Sequence, residues 1–381
     1  MEELNSQRER ARAAYSAGKL NTAIDIQRQI IQHQQQQSGE VRITDYRQLA
    51  FFLIAASRPL EAESVLVPVV EARPENSDLR SILGLVYTNI KQFDKAIPHL
   101  LEALAHDASC FVAADQLTRC YLAKKDLANT VHYGEMALSI KDSLHGDSEA
   151  LEINSAVSSF DHNEKHGNVI AFSLWGDQQR YLQGALRNCE LAAELYPSWQ
   201  CRFYIDETVP SSLAKNLGAR GADVRRMPTR TAPFEGLFWR FHVASDSKIN
   251  RFLVRDCDSV INIKERVAVE QWLQSDKHFH VMRDYYTHTD LVMAGMWGGV
   301  TGVFTDIQSM VAEFTRTHIQ SRIMDQAFLN ECIWPTIKQS CMVHDSCFDS
   351  ALAQPYPDYC GLPPGRHIGQ DEYAVRQTAS A

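Results

Sequence analysis

The chain has 381 residues, more than one hydrophobic core usually organises, which predicts two domains. A formal net charge of −9 argues against nucleic acid or an anionic membrane surface as a partner, because both recruit clustered Lys and Arg. The charged N-terminus, the lack of an apolar run of about 20 residues, and cysteines without a C-x-x-C pair predict a cytoplasmic protein with reduced thiols and no membrane span.

A pattern of small and large apolar residues recurs every 34 residues in the first part of the chain. Its clearest unit contains Gly84, Tyr87, Phe93 and Ala96. The corresponding positions are Ala50, Leu53, Pro59 and Ala62 one period earlier, Thr118, Tyr121, Leu127 and Thr130 one period later, and Gly18, Leu20 and Ala23 in a weaker first unit. Small residues recur where two helices would touch closely, so each unit is predicted to be a helix–turn–helix.

This pattern resembles the tetratricopeptide repeat (TPR) family over about residues 5–145. The resemblance implies a helical-repeat solenoid over residues 1–145, whose concave face binds a partner protein or a peptide. Two alternatives stay open, in which the repeats extend the second domain or mediate self-association. Residues 146–167 are mixed in charge and end in a glycine, which predicts a linker or capping segment with room for one helix.

Strand and helix patterns alternate at the start of the second domain. Apolar runs predict strands and helical spacing predicts helices in the order strand 168–176, helix 180–196, strand 201–206, helix 211–221 and strand 222–227. This order predicts an α/β domain with a mainly parallel sheet and helices on both faces. Ligands of such sheets lie beyond the carboxyl ends of the strands, which here means Trp175 to Asp177 and Asp206.

A further strand, predicted over residues 251–259, finishes in an Asp-x-Asp formed by Asp256 and Asp258. Two carboxylates one residue apart can hold a hard divalent cation, and a bound Mg²⁺ or Mn²⁺ neutralises a diphosphate. The motif is common by chance, but its place at a strand end strengthens the prediction of a metal site.

Several short motifs surround this pair in a fixed order. They are FSLWG at 172–176, YPSWQCRFYID at 196–206, WRF at 239–241, RDCDS at 255–259, AVEQWL at 268–273, FHVMRD at 279–284, His288, and GMWG at 295–298. Together they resemble a group of bacterial glycosyltransferases with the GT-A fold, which implies a nucleotide-diphospho-sugar transferase domain over residues 168–381. Val260, Lys264, Tyr285 and Ala294 depart from the pattern of that group and leave the donor and acceptor open.

The resemblance also implies a role for each matching residue. It places the metal at Asp256, Asp258 and His344, and the nucleotide-sugar donor at Trp175, Asp206, Arg240, Asp256 and Asp258. The residues that would contact the acceptor or the sugar are Arg283, Asp284, His288 and Trp297. DQAFLN at 325–330 is similar to a segment of retaining enzymes, which makes Asp325 and Gln326 the catalytic candidates and slightly favours retention over inversion.

Most of these candidates have a structural alternative. Asp325 could cap a helix, and His344 could be a buried structural histidine. Arg240 and the pair Arg283 and Asp284 could be buried ion pairs that fix the sheet edge, and Trp297 could belong to the core.

The sequence therefore predicts a glycosyltransferase, dependent on Mn²⁺ or Mg²⁺, that moves a sugar from a UDP- or GDP-sugar to a glycan, lipid-linked or protein acceptor. The repeats would recruit the acceptor or a protein partner, or self-associate. The alternative is a TPR scaffold that carries a catalytically silent glycosyltransferase-like domain. A two-metal phosphoesterase is disfavoured because the chain has no dense cluster of His and Asp.

Overall fold

The computed structural model of the protein describes residues 2–318, 321–350 and 352–373. Within the predicted transferase domain, residues 319, 320, 351 and 374–381 lie outside the described part. The chain divides into two compact units, Met1–Leu144 and His145–Ala381. Among the described residues, no helix is long and apolar enough to cross a membrane.

The N-terminal unit is built from paired helices that pack on one another in chain order, and ring stacking of Tyr121 on Tyr133 joins the last pair. In the described part these helices are α1 (Glu2–Ser16), α2 (Leu20–Ser38), α3 (Ile43–Ala55), α4 (Pro59–Ala72), α5 (Ser77–Asn89), α6 (Phe93–His106), α7 (Phe111–Ala123) and α8 (Leu127–His145). The predicted repeat boundaries coincide with these elements, because Pro59, Phe93 and Leu127 each begin the second helix of a pair. The unit is therefore an array of TPR-like repeats.

The turn inside each pair follows one backbone pattern. Ser57, Lys91 and Lys125, spaced by 34 residues, have φ values of 58°, 59° and 61°. The following amide in each turn donates to the carbonyl five residues earlier, at 2.8 to 3.0 Å, which closes the end of the first helix. The weaker first repeat uses Gly18, whose φ is 72°, in the same way.

Small residues lie where the paired helices meet. Ala50, Gly84 and Thr118 on the first helices are buried, as are Ala62 and Ala96 on the second. A side chain at Gly84 would clash with the Leu100 side chain, so this helix pair depends on the absence of a Cβ.

The C-terminal unit alternates strands and helices around one sheet. Its strands are β1 (Asn168–Leu174), β2 (Gln200–Ile205), β3 (Asp223–Arg226), β4 (Arg251–Arg255), β5 (Phe279–Arg283), β6 (Met296–Val300), β7 (Cys341–Asp345) and β8 (Ala353–Gln354). Its helices are α9 (Gln179–Leu195), α10 (Ser211–Ala219), α11 (Ile263–Leu273), α12 (Ile307–Thr317), α13 (Met324–Phe328) and α14 (Trp334–Ile337), with a 3-10 segment at Glu235–Ser245 and a π-helical turn at Leu329–Ile333.

The strand order in the sheet is β3-β2-β1-β4-β6-β5-β7-β8. Every neighbouring pair is parallel except those that involve β6, which runs antiparallel to both β4 and β5. From β1 the chain moves outward through β2 and β3, then returns to place β4 on the other side of β1. The carboxyl ends of β1 and β4 therefore flank a topological switch point, where a crevice for ligands opens.

The central strands are buried on both faces, as their continuous apolar runs predict. Ile170, Phe172 and Leu174 of β1 belong to a core cluster that also contains residues of α9, α10 and α11. On the opposite face, the Ser173 hydroxyl accepts a hydrogen bond from the Arg240 amide at 2.9 Å, which attaches the 3-10 segment to β1. The sheet thus holds this segment at its carboxyl edge.

The segment before β1 differs from the predicted linker. Residues 146–164 contain no helix and belong to the C-terminal unit. The Leu151 amide donates to the Thr336 hydroxyl at 3.0 Å, and the Ser155 carbonyl lies 2.7 Å from the His278 ring. Backbone groups of residues 146–164 thus form hydrogen bonds with side chains of the α/β unit instead of with each other in a helix. We call this extended segment the strap.

Candidate functional site

A cavity of about 580 Å³ opens at the switch point between the ends of β1 and β4. We call it the first pocket. Its lining brings together six of the predicted site residues, Trp175, Arg240, Asp256, Asp258, Asp325 and Gln326. The other predicted residues, Asp206, Arg283, Asp284, His288, Trp297 and His344, do not line it.

Arg240 joins two acidic residues of this pocket. Its guanidinium donates to Asp256 and, at 2.9 Å, to Asp325, and it also donates to the Arg255 carbonyl at 3.3 Å. The Arg240 and Asp325 side chains are buried, whereas Asp256 is about half exposed. A buried guanidinium with two carboxylate partners holds both in fixed positions, so Arg240 ties the end of β4 to α13.

Two carboxyl groups of the pocket have raised pKa values. Burial raises the pKa of Asp325 to about 6, with the Asp256 carboxylate acting in the same direction and Arg240 opposing it. Burial and the Asp256 carboxylate also raise the pKa of Asp258 to about 6. Both shifts mean that ionising these buried and closely spaced carboxyl groups is unfavourable, and a bound cation would reduce that cost. Asp325 is no helix cap, since its oxygens accept from Arg240 and from the adjacent Gln326 amide.

Two charged residues of the site escaped the sequence analysis. Arg180, at the start of α9, lies 3.3 Å from Asp371 and 4.0 Å from Asp258. The C-terminal segment reaches the Asp-x-Asp directly, because the Glu372 amide donates to the Asp258 carbonyl at 3.1 Å. Neither Arg180 nor Asp371 is part of a motif, and the 191 residues that separate them leave no local signal.

Two glycines give the Asp-x-Asp room. A Cβ at Gly184 of α9 would clash with the Cys257 carbonyl, and a Cβ at Gly295 would clash with the Asp256 carboxylate. The close approach of α9 and of the turn before β6 therefore sets the position of this acidic turn.

Trp175 forms a half-buried wall of the pocket, and its ring meets that of Trp239 edge to face at 6.1 Å. Asp206, the predicted nucleoside contact, does not line the pocket but lies behind Trp175. Its carboxylate binds Arg230 at 2.7 Å, and the Arg230 guanidinium lies 5.7 Å from the Trp175 ring. Burial opposes ionisation of Asp206, but hydrogen bonds from Thr208 and Arg230 outweigh it and lower its pKa.

Gln326 is held by the backbone of the segment before β6. Its side-chain oxygen accepts from the Ala294 amide, and its nitrogen donates to the Val292 carbonyl at 3.2 Å. Because both ends of the amide are engaged, the role that the structure supports for Gln326 is to position this segment at the pocket wall. Gln326 also lines the first pocket, so its predicted catalytic role stays a prediction.

Two residues predicted to contact acceptor or sugar form structural contacts instead. Arg283 is buried and binds Asp345 at 2.6 Å and the Leu291 carbonyl at 3.0 Å, so the ion-pair alternative applies, with a different acidic partner. Asp284 binds Lys264 and accepts from the Ile368 amide at 2.8 Å.

His288 is buried and accepts from the Asp284 amide at 3.1 Å. Burial, and next the neighbouring His367, lower the pKa of His288 to about 3, so the ring is neutral. The structure gives this buried imidazole a bond at Nδ1 and places it outside the first pocket, so its contact with acceptor or sugar stays a prediction.

Trp297 is a core residue. It is fully buried, and its ring packs at 5.8 Å from Phe241 and at 5.2 Å from Phe252. The predicted sugar platform is corrected, because core side chains enclose the fully buried indole.

His344 lies far from the Asp-x-Asp. It is buried within β7, where its ring bonds to His280 at 2.8 Å and to Gln271 at 2.7 Å. β5 and β6 separate β7 from β4, and three strand spacings amount to about 14 Å. A third metal ligand cannot lie that far from Asp256 and Asp258, so this prediction is corrected.

Comparisons with known proteins add similarity to helical-repeat structures. No protein-family model matches the sequence, and no curated protein matches it. MamA of MSR-1 is 15% identical over 38% of this chain and 79% of its own, with a TM-score of 0.30. YrrB, described as a TPR protein with an unusual peptide-binding site, is 16% identical over 34% of this chain and 64% of its own, with a TM-score of 0.29.

A mutant O-GlcNAc transferase of Thermobaculum terrenum is 14% identical over 66% of this chain, with a TM-score of 0.44. The chain spans 45% of the length of that transferase.

Proposed function

We propose that the protein is a divalent-cation-dependent glycosyltransferase whose donor is a nucleoside diphosphate sugar, UDP- or GDP-linked. The observation that carries the proposal is the convergence of Asp256, Asp258 and Asp325 with the buried Arg240 in one cavity at the switch point of the sheet. The motif order described above supports the same assignment. The GT-A type of the domain is part of this proposal.

The acidic turn fits a hard cation. Asp256 and Asp258 supply the carboxylate oxygens that Mg²⁺ and Mn²⁺ prefer. Burial and, next, repulsion from Asp256 raise the pKa of Asp258, and a bound cation would offset both effects. The described residues contain no group of three His, Cys, Asp or Glu side chains arranged for one ion, so the donor and water would complete the coordination. When bound, the cation neutralises the diphosphate and stabilises it as a leaving group.

The residues of the chain position the reactants. Arg240 keeps Asp256 and Asp325 in place, and Trp175 with Tyr181 bounds the space for the donor. In the transfer, the bond between the anomeric carbon and the diphosphate oxygen breaks and a bond to the acceptor oxygen forms. The acceptor hydroxyl gives its proton to the departing phosphate, which fits the slight preference for retention. Positioning of this kind replaces a bimolecular encounter by a preorganised one.

The acceptor class stays open among glycans, lipid-linked intermediates and proteins. We propose that the TPR-like repeats recruit the acceptor or a protein partner, or pair with a second copy, since stacked helical repeats present an extended surface for such contacts.

One observation favours the silent scaffold as the second candidate. Arg240 already neutralises part of the charge on Asp256 and Asp325 without any cation. In a silent domain this arrangement would be a structural cross-link between β4 and α13, and divalent ions would not change ligand binding.

The test measures the thermal stability of the whole chain with UDP or GDP, in Mn²⁺ or in EDTA. At about 100 times the dissociation constant the nucleotide should add roughly 2.7 kcal/mol with the cation and little without it. Asp258→Asn should abolish the cation-dependent part and reduce donor hydrolysis at least about 100-fold.

Asp276→Asn is the matched control, because that side chain is 90% exposed and pairs only loosely with Lys277 at 3.7 Å. Equal nucleotide effects in Mn²⁺ and EDTA would remove the cation from the proposal. If a panel of UDP-, GDP-, CMP- and dTDP-sugars is neither transferred nor hydrolysed, and Asp258→Asn leaves nucleotide binding unchanged, the scaffold is the better description.

A further inference from the structure

A second cavity, of about 440 Å³, lies in the same unit. We call it the second pocket. Its walls come from the 3-10 segment Glu235–Ser245, from α12 and Met324, and from Met227, Pro228, Thr231 and Ala232 after β3. None of the residues discussed as donor-binding or catalytic lines it.

At two places, consecutive residues of the chain line the two different pockets. Trp239 lines the second pocket and the next residue, Arg240, lines the first. Met324 lines the second pocket and the next residue, Asp325, lines the first. Arg240 and Asp325 are themselves bonded at 2.9 Å, so the two walls are joined on the side of the first pocket. A ligand that displaces Trp239 or Met324 would shift the backbone beside this ion pair, because packed elements transmit small shifts.

The lining of the second pocket indicates an uncharged ligand. Phe238, Trp239 and Met324 form a buried apolar floor. The lining contains no Lys or Arg, and its carboxylate, Glu235, already accepts from the Thr231 amide at 2.8 Å and from the Thr231 hydroxyl at 3.1 Å. An anionic ligand would find no counter-charge there, whereas the pocket size is typical for a small organic molecule.

The rim supplies neutral hydrogen-bonding groups. Gln308 offers a donor and an acceptor, and His242 offers the same pair, because burial lowers its pKa to about 4 and keeps the imidazole neutral. Hydroxyl groups, which both donate and accept, match this rim. The apolar floor matches an aromatic or aliphatic body attached to them.

We infer that the second pocket binds a neutral glycoside, with its apolar aglycone on Phe238, Trp239 and Met324 and its sugar hydroxyls at Gln308 and His242. Occupancy of this pocket alters nucleotide binding in the first pocket through Arg240 and Asp325. The binding site stands on the geometry of the second pocket alone, and only its effect on nucleotide binding rests on the proposed function.

Calorimetric titration of the full-length protein with p-nitrophenyl glycosides of glucose, galactose and N-acetylglucosamine tests the site. At least one glycoside should bind, and p-nitrophenyl phosphate, which has the same aromatic group with an anionic head, should bind at least about tenfold more weakly. Binding of the phosphate as tight as that of every glycoside, or no binding of any glycoside, would overturn the inference.

Two substitutions on α12 locate the binding. Ala312 lines the second pocket, whereas its neighbour Glu313 is exposed and does not. Ala312→Trp fills the cavity and should weaken glycoside binding at least about tenfold, while Glu313→Trp should stay within about twofold of the native protein. Equal effects of the two variants would place the glycoside elsewhere.

The coupling has a separate readout. Saturating glycoside should change the dissociation constant of UDP with Mn²⁺ at least about twofold in the native protein, and should not do so in Ala312→Trp. An unchanged constant refutes the coupling. Asp258→Asn should lose nucleotide binding but keep glycoside binding, so failure of the proposed transferase activity and failure of the second pocket are distinguishable.

Discussion

Replacement of Asp325 by Asn should make the protein more stable and less active. A buried carboxyl whose pKa rises from about 3.9 to about 6 costs the folded state about 3 kcal/mol once it is ionised. Asn keeps the shape and removes this cost. Arg240 retains Asp256 and the Arg255 carbonyl as partners, so the guanidinium is not left unpaired.

The sign of the effect depends on pH. Below about pH 4 the Asp325 carboxyl is protonated in the folded and unfolded states, so native protein and variant should have similar stability. Between about pH 4 and pH 6 only the unfolded state ionises, and the native protein loses stability as pH rises. Above about pH 6 the difference should level off at up to about 3 kcal/mol in favour of Asp325→Asn.

Urea unfolding at pH 4, 5, 6 and 7 measures this difference. All six tryptophans lie between Trp175 and Trp334, so tryptophan fluorescence reports the α/β unit. Donor hydrolysis should fall at least about 100-fold in the same variant, and Asp276→Asn should change neither quantity. A variant that is less stable than the native protein at pH 7, or a stability difference that does not vary with pH, would refute the argument.

Three further predictions concern other parts of the molecule. Gly184→Ala should lower the free energy of unfolding by about 1–3 kcal/mol and weaken Mn²⁺-dependent UDP binding, because its Cβ displaces the Cys257 carbonyl. Urea unfolding and calorimetry measure the two effects. Gly218→Ala is the control, because a Cβ there has open space. Burial lowers the pKa of His344 to about 4, so the unfolded state binds a proton more readily. The free energy of unfolding should therefore fall by up to about 3 kcal/mol as the pH falls from about 6.5 to 4. His344→Gln should flatten this pH dependence in urea unfolding. Lys91→Gly should stabilise the repeats by roughly 0.5–1 kcal/mol in thermal unfolding followed by circular dichroism, since a φ of 59° strains a side chain; a lower melting temperature would contradict this.

Local patterns were enough to predict the elements of the fold. The 34-residue period located the helix pairs because each pair buries the same small residues, Ala62 and Ala96 among them. Continuous apolar runs located β1, β2 and β4 because these strands are covered on both faces. The strap over residues 146–164 was missed, since an extended segment that bonds to a distant helix and to a loop has no periodicity of its own.

The neighbourhood of Asp256 and Asp258 was also accessible from the sequence, because the carboxyl ends of parallel strands meet at one edge. The position of His344 was not. β6 lies in the sheet between β4 and β5 and runs antiparallel to both. The order of elements along the chain does not predict this position. It moves β7 one strand further from the acidic turn and takes His344 out of reach.

Long-range partners were likewise hidden. Arg180 and Asp371 lie far apart in the sequence of the α/β unit, and neither belongs to one of the motifs described above. The Gln326 side chain bonds to backbone atoms of Val292 and Ala294. Every residue has such backbone atoms, so the sequence does not indicate which of them a side chain will bind.

The repeated turn has a consequence for changes in chain length. Ser57, Lys91 and Lys125 end equivalent helices at equal intervals, and each turn is closed by bonds within its own repeat. Deletion of residues 58–91 would join Ser57 to Gln92, so the residue after the left-handed turn is again the one that precedes a second helix. A cut that does not remove whole 34-residue repeats would generally turn the apolar side of a helix away from its neighbour, because 3.6 residues make one turn. The array can therefore gain or lose whole repeats while every remaining helix keeps a partner.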